Sequence, residues 1–265
     1  MCELFAMCSR HPADVTISIE ELASHGGRAG PNPDGWGVGY YVERDLRLLK
    51  EAGPALESPC IRFLEERHLA STIVMAHIRR ASEGALKHAN SQPFARELGG
   101  RMHTFAHNGD VPAVFDDPRF SLGSFHNVGE TDSERAFCAL LARLTPLWTH
   151  DDPPTIDARL DVVSVFATEL RELGAANFLY ADSQLLFAHS DRRYWHDRLR
   201  PPGLHVLEHD AIHTAAVRVS SAHSHQKAVL IASVPLSTEA WQPMRRGEIR
   251  VFESGSLVRR TMTAT

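Results

Sequence analysis

The chain begins MCELFAMC, residues 1–8, with a cysteine directly behind the initiator methionine. Methionine removal is efficient when the second residue is small, so we expect a mature protein that begins at Cys2 with a thiol and a free α-amine. An α-amine titrates near pH ~8 and a free thiol near pH ~8.5, so the amine can accept the thiol proton without another side chain. The alternative is that Cys2 is a small buried apolar residue. Its position alone leaves both interpretations open.

Composition places the chain among ordinary globular proteins. Of its 265 residues, 43% are hydrophobic and 23% charged, and no repeat or Gly/Ser linker interrupts them, so we predict one domain over residues 1–265. No run approaches the ~18 apolar residues of a membrane helix, and no signal peptide is evident, so we expect a cytoplasmic protein that binds no membrane. A net charge of −5 argues against nucleic acid as a partner. Four cysteines without a CxxC pair indicate neither disulfides nor a zinc site.

Short β-rich runs separated by turn residues predict antiparallel hairpins rather than βαβ units. The predicted strands are residues 38–42, 46–50, 73–78, 102–107, 177–181, 185–189, 217–219, 228–232 and 250–253.

Helices are predicted from their start signals. Ser18 fits a capping box with Glu21, and Pro59 stands at a first helical position. The longest predicted helices span residues 131–144 and 156–173, and the second ends at a glycine, as helices often do. Strands, two consecutive helices and further strands indicate an α+β fold in which helices pack on antiparallel sheets.

A glycine-rich loop, HGGRAGPNPDGWGVGYY, occupies residues 25–41. The spacing of Gly35, Gly37 and Gly39 superficially matches a dinucleotide-binding loop, but that motif leaves a strand and opens a helix, whereas this loop runs into a strand. The glycines therefore predict close backbone packing, and we expect Asp34 to fix the turn.

Polar residues follow the predicted strand in VMAHIRRASEG, residues 74–84. An arginine such as Arg79 at a strand end suits bidentate capture of a carboxylate, and a surface ion pair is the alternative. A few residues later, HANSQPF, residues 88–94, has the composition of a turn.

A second strand with a polar end is TFAHNGDV, residues 104–111. The side-chain amide of Asn108 and a backbone N–H at Gly109 are two donors that can converge on one oxygen, as an oxyanion hole requires. An ordinary Asn-Gly hairpin turn is the alternative.

Acidic residues mark a helix start in GETDSERAFCALL, residues 129–141. Thr131 and Glu134 fit a capping box, and the helix dipole favours Asp132 and Glu134 in the first turn. Capping is the expected role of either carboxylate, and binding of a ligand ammonium is the alternative.

Three histidines lie four residues apart, at His205, His209 and His213. On a helix they would share one face and could bind a metal. Their β-branched and alternating neighbours predict a strand instead, so no metal site is predicted there.

Taken in order, MCEL, PDGWGVGYY, AHIRRAS, NSQPF, AHNG and GETDSE resemble the class II glutamine amidotransferases, and most of all their small stand-alone, YafJ-like type. These are N-terminal nucleophile hydrolases that begin with a catalytic cysteine. The resemblance covers most of the chain and implies a four-layer αββα sandwich of antiparallel sheets.

For catalysis, the resemblance implies that Cys2 is the nucleophile and its freed α-amine the base. The side chain of Asn108 and the backbone N–H of Gly109 would form the oxyanion hole. The alternative of a buried apolar Cys2 is therefore disfavoured.

For substrate binding, the resemblance implies that Arg79 holds the glutamine α-carboxylate and Asp132 its α-ammonium, with Ser82 assisting at the carboxylate. The implied activity is hydrolysis of the γ-amide of glutamine, or of a related γ-glutamyl amide, through a Cys2 thioester. No cofactor and no metal are implied.

Fused members of the family continue into a synthase domain, and 265 residues leave no room for one. We therefore expect the glutamine-handling part alone. It would either pass ammonia to a separate synthetase or act as a free-standing γ-glutamyl hydrolase. A catalytically silent glutamine sensor or partner-binding module is the alternative outside enzymology.

The sequence departs from the fused members in two places. They carry an arginine shortly before the aspartate of the glycine loop, where this chain has Pro31, Asn32 and Pro33, with Arg28 as the nearby substitute. They also follow the carboxylate-binding arginine with tryptophan, where this chain has Arg80. These departures predict different gating of the pocket and favour a hydrolase that accepts more than glutamine.

Overall fold

The computed structural model describes residues 2–26, 32–67, 69–81, 84–149, 152–195, 198–209 and 225–264. Four α-helices lie within these ranges. They are α1 (Thr16–Ser24), α2 (Pro59–Arg67), α3 (Asp132–Leu144) and α4 (Ile156–Leu173).

The strands form two large antiparallel sheets and one small hairpin. They are β1 (Glu3–Ala13), β2 (Trp36–Val42), β3 (Asp45–Glu51), β4 (Ser71–Ile78), β5 (Phe94–Leu98), β6 (Arg101–Asp110), β7 (Ala175–Ala181), β8 (Leu186–Ser190), β9 (Arg193–Trp195), β10 (Arg198–Arg200), β11 (His205–His209), β12 (Ala228–Ala232), β13 (Gln242–Pro243), β14 (Glu248–Glu253) and β15 (Ser256–Met262). The first sheet has the order β13-β11-β12-β1-β4-β2-β3, and the second β15-β14-β8-β7-β6-β5.

Strand alternation divides the apolar side chains among three cores. In β1, Leu4 lies in the core between the two sheets, whereas its neighbour Phe5 lies in the core beneath α1 and α2. In β6, Ala106 faces the first sheet, whereas Phe105 packs beneath α3 and α4. Because successive side chains in a strand point to opposite faces, each sheet separates two cores. The layers are therefore α, β, β and α, which confirms the predicted four-layer sandwich.

Most of the predicted strands are present, with ends that agree or differ by up to three residues. The predicted strand at 217–219 lies outside the described residues. The prediction missed β1, an eleven-residue strand in the middle of the first sheet, and also β5, β15 and the short strands β9, β10 and β13. The sequence around His205 is strand β11, as predicted.

Helix α3 follows the predicted cap, with Thr131 Oγ1 accepting the Glu134 N–H at 3.2 Å. The carboxylate of Glu134 does not complete the box and accepts the N–H of Gly129 instead. The predicted start at Ser18 is wrong, because α1 begins at Thr16. No side chain caps the start of α1, and Ile19, Leu22 and Ala23 of this helix are buried in the core beneath the first sheet.

Helix α4 has the predicted bounds, but the glycine after it does not act as predicted. Gly174 has φ 165°, which is extended backbone and not the left-handed conformation of a common C-cap. A Cβ at Gly174 would lie 2.0 Å from the backbone oxygen of Asp110. Close approach of α4 to the end of β6 therefore requires glycine there.

Within the described ranges, no helix combines the length and the apolar character needed to cross a bilayer.

Candidate active site at the N-terminal cysteine

Cys2 lies immediately before β1, beside the end of β4. Glu3 pairs with Ile78, which brings Cys2 next to the residues that leave β4. The thiol sulfur accepts the backbone N–H of Arg80 and donates to its backbone oxygen, both at 3.3 Å. The side chain is partly buried. The central strand of the first sheet therefore presents the cysteine at one end of the sandwich.

Burial raises the pKa of the Cys2 thiol. The backbone N–H of Arg80 and the positive charge of Arg79 act in the opposite direction, without offsetting the effect of burial. The thiol is therefore mostly protonated at neutral pH in this environment. A reaction at this sulfur needs a base that takes the proton as the new bond forms.

Asn108 reaches Cys2 from the second sheet. Its Nδ2 donates to the backbone oxygen of Cys2 at 2.5 Å and lies 3.5 Å from the hydroxyl of Ser233. The side chain is 2% exposed. Asn108 and Gly109 lie inside β6, so the alternative of a two-residue hairpin turn is wrong. The structure thus brings the amide of Asn108 to the predicted nucleophile.

Gly109 occupies a position where only glycine fits. It pairs with Ala176 of β7, and a Cβ at Gly109 would lie 1.7 Å from the backbone oxygen of Ala175. The N–H of His107, two residues earlier, points away from β7 to the side chain of Gln92. Since residues i and i+2 of a strand direct their N–H groups to the same edge, the Gly109 N–H also points away from β7.

Arg79 is buried at the end of β4, only 3% exposed, so it is not the surface residue that an exposed ion pair would require. Its guanidinium donates to the backbone oxygens of Gly84 and Ala85, both at 3.3 Å. Asp34, expected to fix the turn of the glycine loop, joins that loop to the segment after β4, because its Oδ2 accepts the N–H of Ala81 at 2.9 Å. The glycine loop and the segment after β4 therefore hold Arg79 beside Cys2.

Asp132 begins α3 and is 7% exposed. Its Oδ2 accepts the N–H of Val111 at 2.7 Å, and its Oδ1 accepts the N–H of Ser133 at 2.6 Å. The carboxylate therefore joins the start of α3 to the chain that continues from Gly109. The contact with Ser133 lies in the first turn of α3, as the capping interpretation expects, whereas the contact with Val111 reaches the residue directly after β6.

Asn90 links the surroundings of Arg79 to those of Asp132. It is fully buried, its Nδ2 donates to Ala85 O at 2.9 Å, and its Oδ1 accepts the N–H of Glu130 at 2.9 Å. Ala85 is also a partner of Arg79, and Glu130 lies two residues before Asp132. Residues 90–92 are therefore buried, and Asn90 links the segment after β4 to the segment before α3 through hydrogen bonds.

Two further buried polar side chains, Ser233 and Arg193, lie beside the start of β1. Ser233 Oγ accepts the N–H of Leu4 at 3.1 Å, and Arg193 donates to the backbone oxygen of Ser233 at 2.7 Å. Burial lowers the pKa of Arg193, and the negative charges of Glu3 and of a Cys2 thiolate oppose that shift. A cation therefore lies within electrostatic reach of the thiol.

Glu3, directly after Cys2, is 7% exposed and accepts a hydrogen bond from the His25 ring, with Nδ1 and Oε2 2.6 Å apart. This contact raises the pKa of His25. It anchors the segment after α1 to the beginning of β1.

The structure therefore brings together Cys2, Asn108 and Arg79, with Gly109 and Asp132 on adjoining segments. Ser82, Arg28 and Pro31 lie outside the described residues. Within the described ranges, no group of three or more His, Cys, Asp and Glu side chains could hold a metal ion.

Five further polar residues at the site do not stand out in the sequence motifs: Asn90, Gln92, Asn177, Arg193 and Ser233. Asn177 carried a usable signal, since it is the one amide in the otherwise apolar strand AANFLYA. Asn90 and Gln92 stand in NSQPF, whose composition predicts a turn and so does not indicate their contacts with the site. Arg193 and Ser233 carried no signal, because their partners are backbone groups distant in sequence.

The family model of the class II glutamine amidotransferases matches the chain over residues 1–265. The protein therefore belongs to the class II glutamine amidotransferase family. Within that family it is YafJ-like: it is 36% identical to YafJ of Escherichia coli (strain K12) over 261 residues, which are 97% of this chain and 100% of YafJ. It is also 32% identical to the uncharacterized protein MJ1515 of Methanocaldococcus jannaschii, over 97% of this chain and 71% of that protein.

Solved structures share the architecture. A predicted glutamine amidotransferase from Pseudomonas aeruginosa PA01 superposes with a TM-score of 0.70 at 28% identity, covering 97% of this chain and all of that one. Glutamine phosphoribosylpyrophosphate amidotransferase from B. subtilis superposes with a TM-score of 0.64 at 15% identity, over 99% of this chain and 49% of that one. The second similarity shows that the two chains share a fold.

Proposed function

We propose that residues 1–265 form a single domain that hydrolyses the γ-amide of glutamine or of a related γ-glutamyl amide through a thioester at Cys2. The observation that carries this proposal is the contact between Asn108 Nδ2 and the backbone oxygen of Cys2 at 2.5 Å. It brings a hydrogen-bond donor from one sheet to a cysteine on the other, where a bound acyl group would be.

In the first half of the reaction, the freed α-amine of Cys2 accepts the thiol proton, and the sulfur attacks the δ-carbonyl carbon of the substrate. The oxygen becomes an oxyanion, stabilised by Asn108 Nδ2 and the Gly109 N–H. The C–N bond then breaks as the α-ammonium passes its proton to the leaving nitrogen. Ammonia or an amine departs, and a γ-glutamyl thioester remains.

In the second half, a water molecule gives a proton to the α-amine and attacks the thioester carbon. The same two donors stabilise the second tetrahedral intermediate. When the C–S bond breaks, the α-ammonium returns its proton to the sulfur and glutamate is released. The raised pKa of the Cys2 thiol supports this scheme, because a thiol that stays mostly protonated needs the nearby amine as a base during the reaction.

Substrate orientation is assigned to groups that stay unchanged in the reaction. Arg79 binds the α-carboxylate, with Ser82 assisting, and Asp132 binds the α-ammonium. Burial of the Arg79 guanidinium supports its role, because charge-assisted hydrogen bonds are strongest where water is excluded.

We assign the physiological reaction to γ-glutamyl hydrolysis by the chain alone rather than to ammonia transfer to a synthetase. The support is Arg80, which replaces the tryptophan of the fused members. Its backbone contacts the Cys2 sulfur while its side chain is exposed. The side chain next to the nucleophile thus leaves room for substituents on the leaving nitrogen.

The test is a panel of γ-glutamyl amides, including glutamine, with release of ammonia or amine measured for the purified protein. Cys2→Ala should abolish turnover. Cys60→Ala is the matched control, because Cys60 is also a partly buried free cysteine and should be dispensable. We expect a substituted γ-glutamyl amide to have a higher kcat/KM than glutamine.

Two outcomes would contradict the proposal. Turnover of glutamine alone, strongly increased by one co-purifying synthetase, would identify an ammonia-donating subunit. Calorimetric binding of glutamine without any release of ammonia would identify a catalytically silent sensor.

A further inference from the structure

Strand β6 extends past the end of its neighbour β5. The pairing of β5 with β6 runs from Leu98–Arg101 to Phe94–Phe105 and stops there. Among the described strands, none pairs along that edge with the remainder of β6, which carries Asn108 and Gly109.

The side chain of Gln92 occupies the first position on this open edge. Its Oε1 accepts the N–H of His107 at 2.6 Å, and its Nε2 donates to the backbone oxygen of His107 at 3.2 Å. Gln92 is 5% exposed. A side-chain amide carries the same donor and acceptor as a peptide group, so Gln92 replaces one rung of a β-ladder.

This replacement ends at His107. The next N–H on the same edge belongs to Gly109, two residues beyond the backbone groups that Gln92 binds. A continued strand would pair with that N–H, whereas a single side-chain amide holds β6 in place and leaves it available.

Asn177 of β7 contacts the end of β6 along the edge opposite to Gln92. It pairs with Asn108 in register, is fully buried, and its Nδ2 donates to the backbone oxygen of Asn108 at 2.9 Å. The same Nδ2 donates to Arg192 O at 2.7 Å, and Oδ1 accepts the N–H of Asp191 at 2.7 Å. Asn177 therefore ties Asn108 to the segment that leads to Arg193 and, through it, to Ser233.

We propose that Gln92 and Asn177 are positioning residues, which fix the two oxyanion donors of β6 from its two edges. This inference rests on the proposed function, in which Asn108 and Gly109 stabilise the oxyanion. Such donors act at ~2.7–3.1 Å from the developing charge, so a small displacement of β6 weakens them. Both amides bind backbone groups, so their proposed role is to hold β6 and not to bind substrate.

The experiment compares Gln92→Met and Asn177→Asp with Gln226→Met. Gln226 is the matched control, since it is 3% exposed and its amide hydrogen-bonds the backbone N–H and the backbone oxygen of His11. His11 lies at the end of β1 that is far from Cys2. We expect the first two variants to lose on the order of 10-fold in kcat with little change in KM. Gln226→Met should keep its kcat, even where its Tm falls.

Alkylation of Cys2 by iodoacetamide separates positioning from general loosening of the site. That reaction forms no oxyanion, so its rate should be unchanged in Gln92→Met and Asn177→Asp. Asn177→Asp should also add little to the kcat loss of Asn108→Ala, because it acts through Asn108. Gln92→Glu is a second variant, expected to regain kcat relative to Gln92→Met as the pH falls, since its protonated carboxyl restores the donor to His107 O.

The inference is overturned if both variants keep a normal kcat while Asn108→Ala is impaired. It is also overturned if kcat, alkylation rate and Tm fall together to the same extent in all three amide variants. A normal kcat in Asn108→Ala itself would instead contradict the proposed oxyanion hole, so the two failures are distinguishable.

Discussion

Arg79 keeps its guanidinium among backbone oxygens at the end of β4, where it is 3% exposed. For a single arginine read in isolation, a surface ion pair is the more common role. Burial next to Cys2 changes that assessment, because an arginine held beneath the surface can receive a substrate carboxylate in a dry pocket.

Replacing Arg79 with lysine should therefore weaken substrate binding more than chemistry. Lysine keeps the charge but loses the planar fork, and a charge-assisted hydrogen bond contributes about 1.5–3 kcal/mol, so KM should rise on the order of 10- to 100-fold. Steady-state kinetics with glutamine measure the effect. A large fall in kcat with an unchanged KM would contradict the assignment of Arg79 to the α-carboxylate.

Asn108→Ala should have the opposite signature. Losing one oxyanion donor typically lowers kcat on the order of 10²- to 10³-fold, while binding of the ground-state amide is little affected. Single-turnover measurement of thioester formation isolates this step. An unchanged kcat would show that the Asn108 amide only hydrogen-bonds the backbone oxygen of Cys2 and does not stabilise the oxyanion.

At the residue scale, the reacting groups could be recognised in the sequence, whereas the residues that position them could not. Cys2, Asn108 and Arg79 stand in short motifs with local chemical meaning. Gln92 and Asn177 act on backbone groups 15 and 69 positions away, and no local pattern reports such pairs.

At the scale of elements, the missed strand β1 has a physical explanation. It lies in the middle of a sheet that is covered on both faces, so its first seven residues, ELFAMCS, are all buried. A doubly buried strand shows no alternation of apolar and polar residues, and a short apolar run does not distinguish strand from helix. Helices α3 and α4 were predictable because Thr131 and Thr155 cap them through their own side chains.

The junction of β6 and β7 allows no side chain at Gly109. Gly109→Ala would place a Cβ 1.7 Å from Ala175 O, so the strands must separate. We expect a loss of about 1–3 kcal/mol in the free energy of unfolding, as overpacking typically costs, together with a fall in kcat. Urea unfolding measures the stability, and Gly53→Ala is the control, because its Cβ would meet no atom within 4 Å. Equal stabilities of the two variants would contradict this packing.

At the scale of the whole molecule, the buried histidines should make the fold sensitive to acid. Burial is the largest cause that lowers the pKa of His77 to about 3 and of His103 and His189 to about 4. In the unfolded chain each would titrate near ~6.5, so below that pH the unfolded state binds more protons than the folded state. Stability therefore falls as the pH decreases from ~6.5 towards the lowered values.

Each such histidine contributes a slope of up to about 1.4 kcal/mol per pH unit, so the three together give about 4 kcal/mol per unit between roughly pH 4.5 and 6. Urea unfolding at several pH values measures the slope. His103→Gln should reduce it by the contribution of one proton. A free energy of unfolding that stays constant from pH 6.5 to pH 5 would contradict burial of these rings in the neutral form.

The most direct test of the account is the site of covalent labelling by a glutamine-analogue electrophile, read by intact mass and peptide mapping. If Cys2 is an N-terminal nucleophile, the active protein should lack Met1 and carry one label, on Cys2. Excess glutamine should protect Cys2 from that labelling. Cys60, which is also partly buried, should remain unlabelled. A fully active protein that retains Met1, or a label on Cys60 with Cys2 unmodified, would contradict the N-terminal nucleophile on which the account rests.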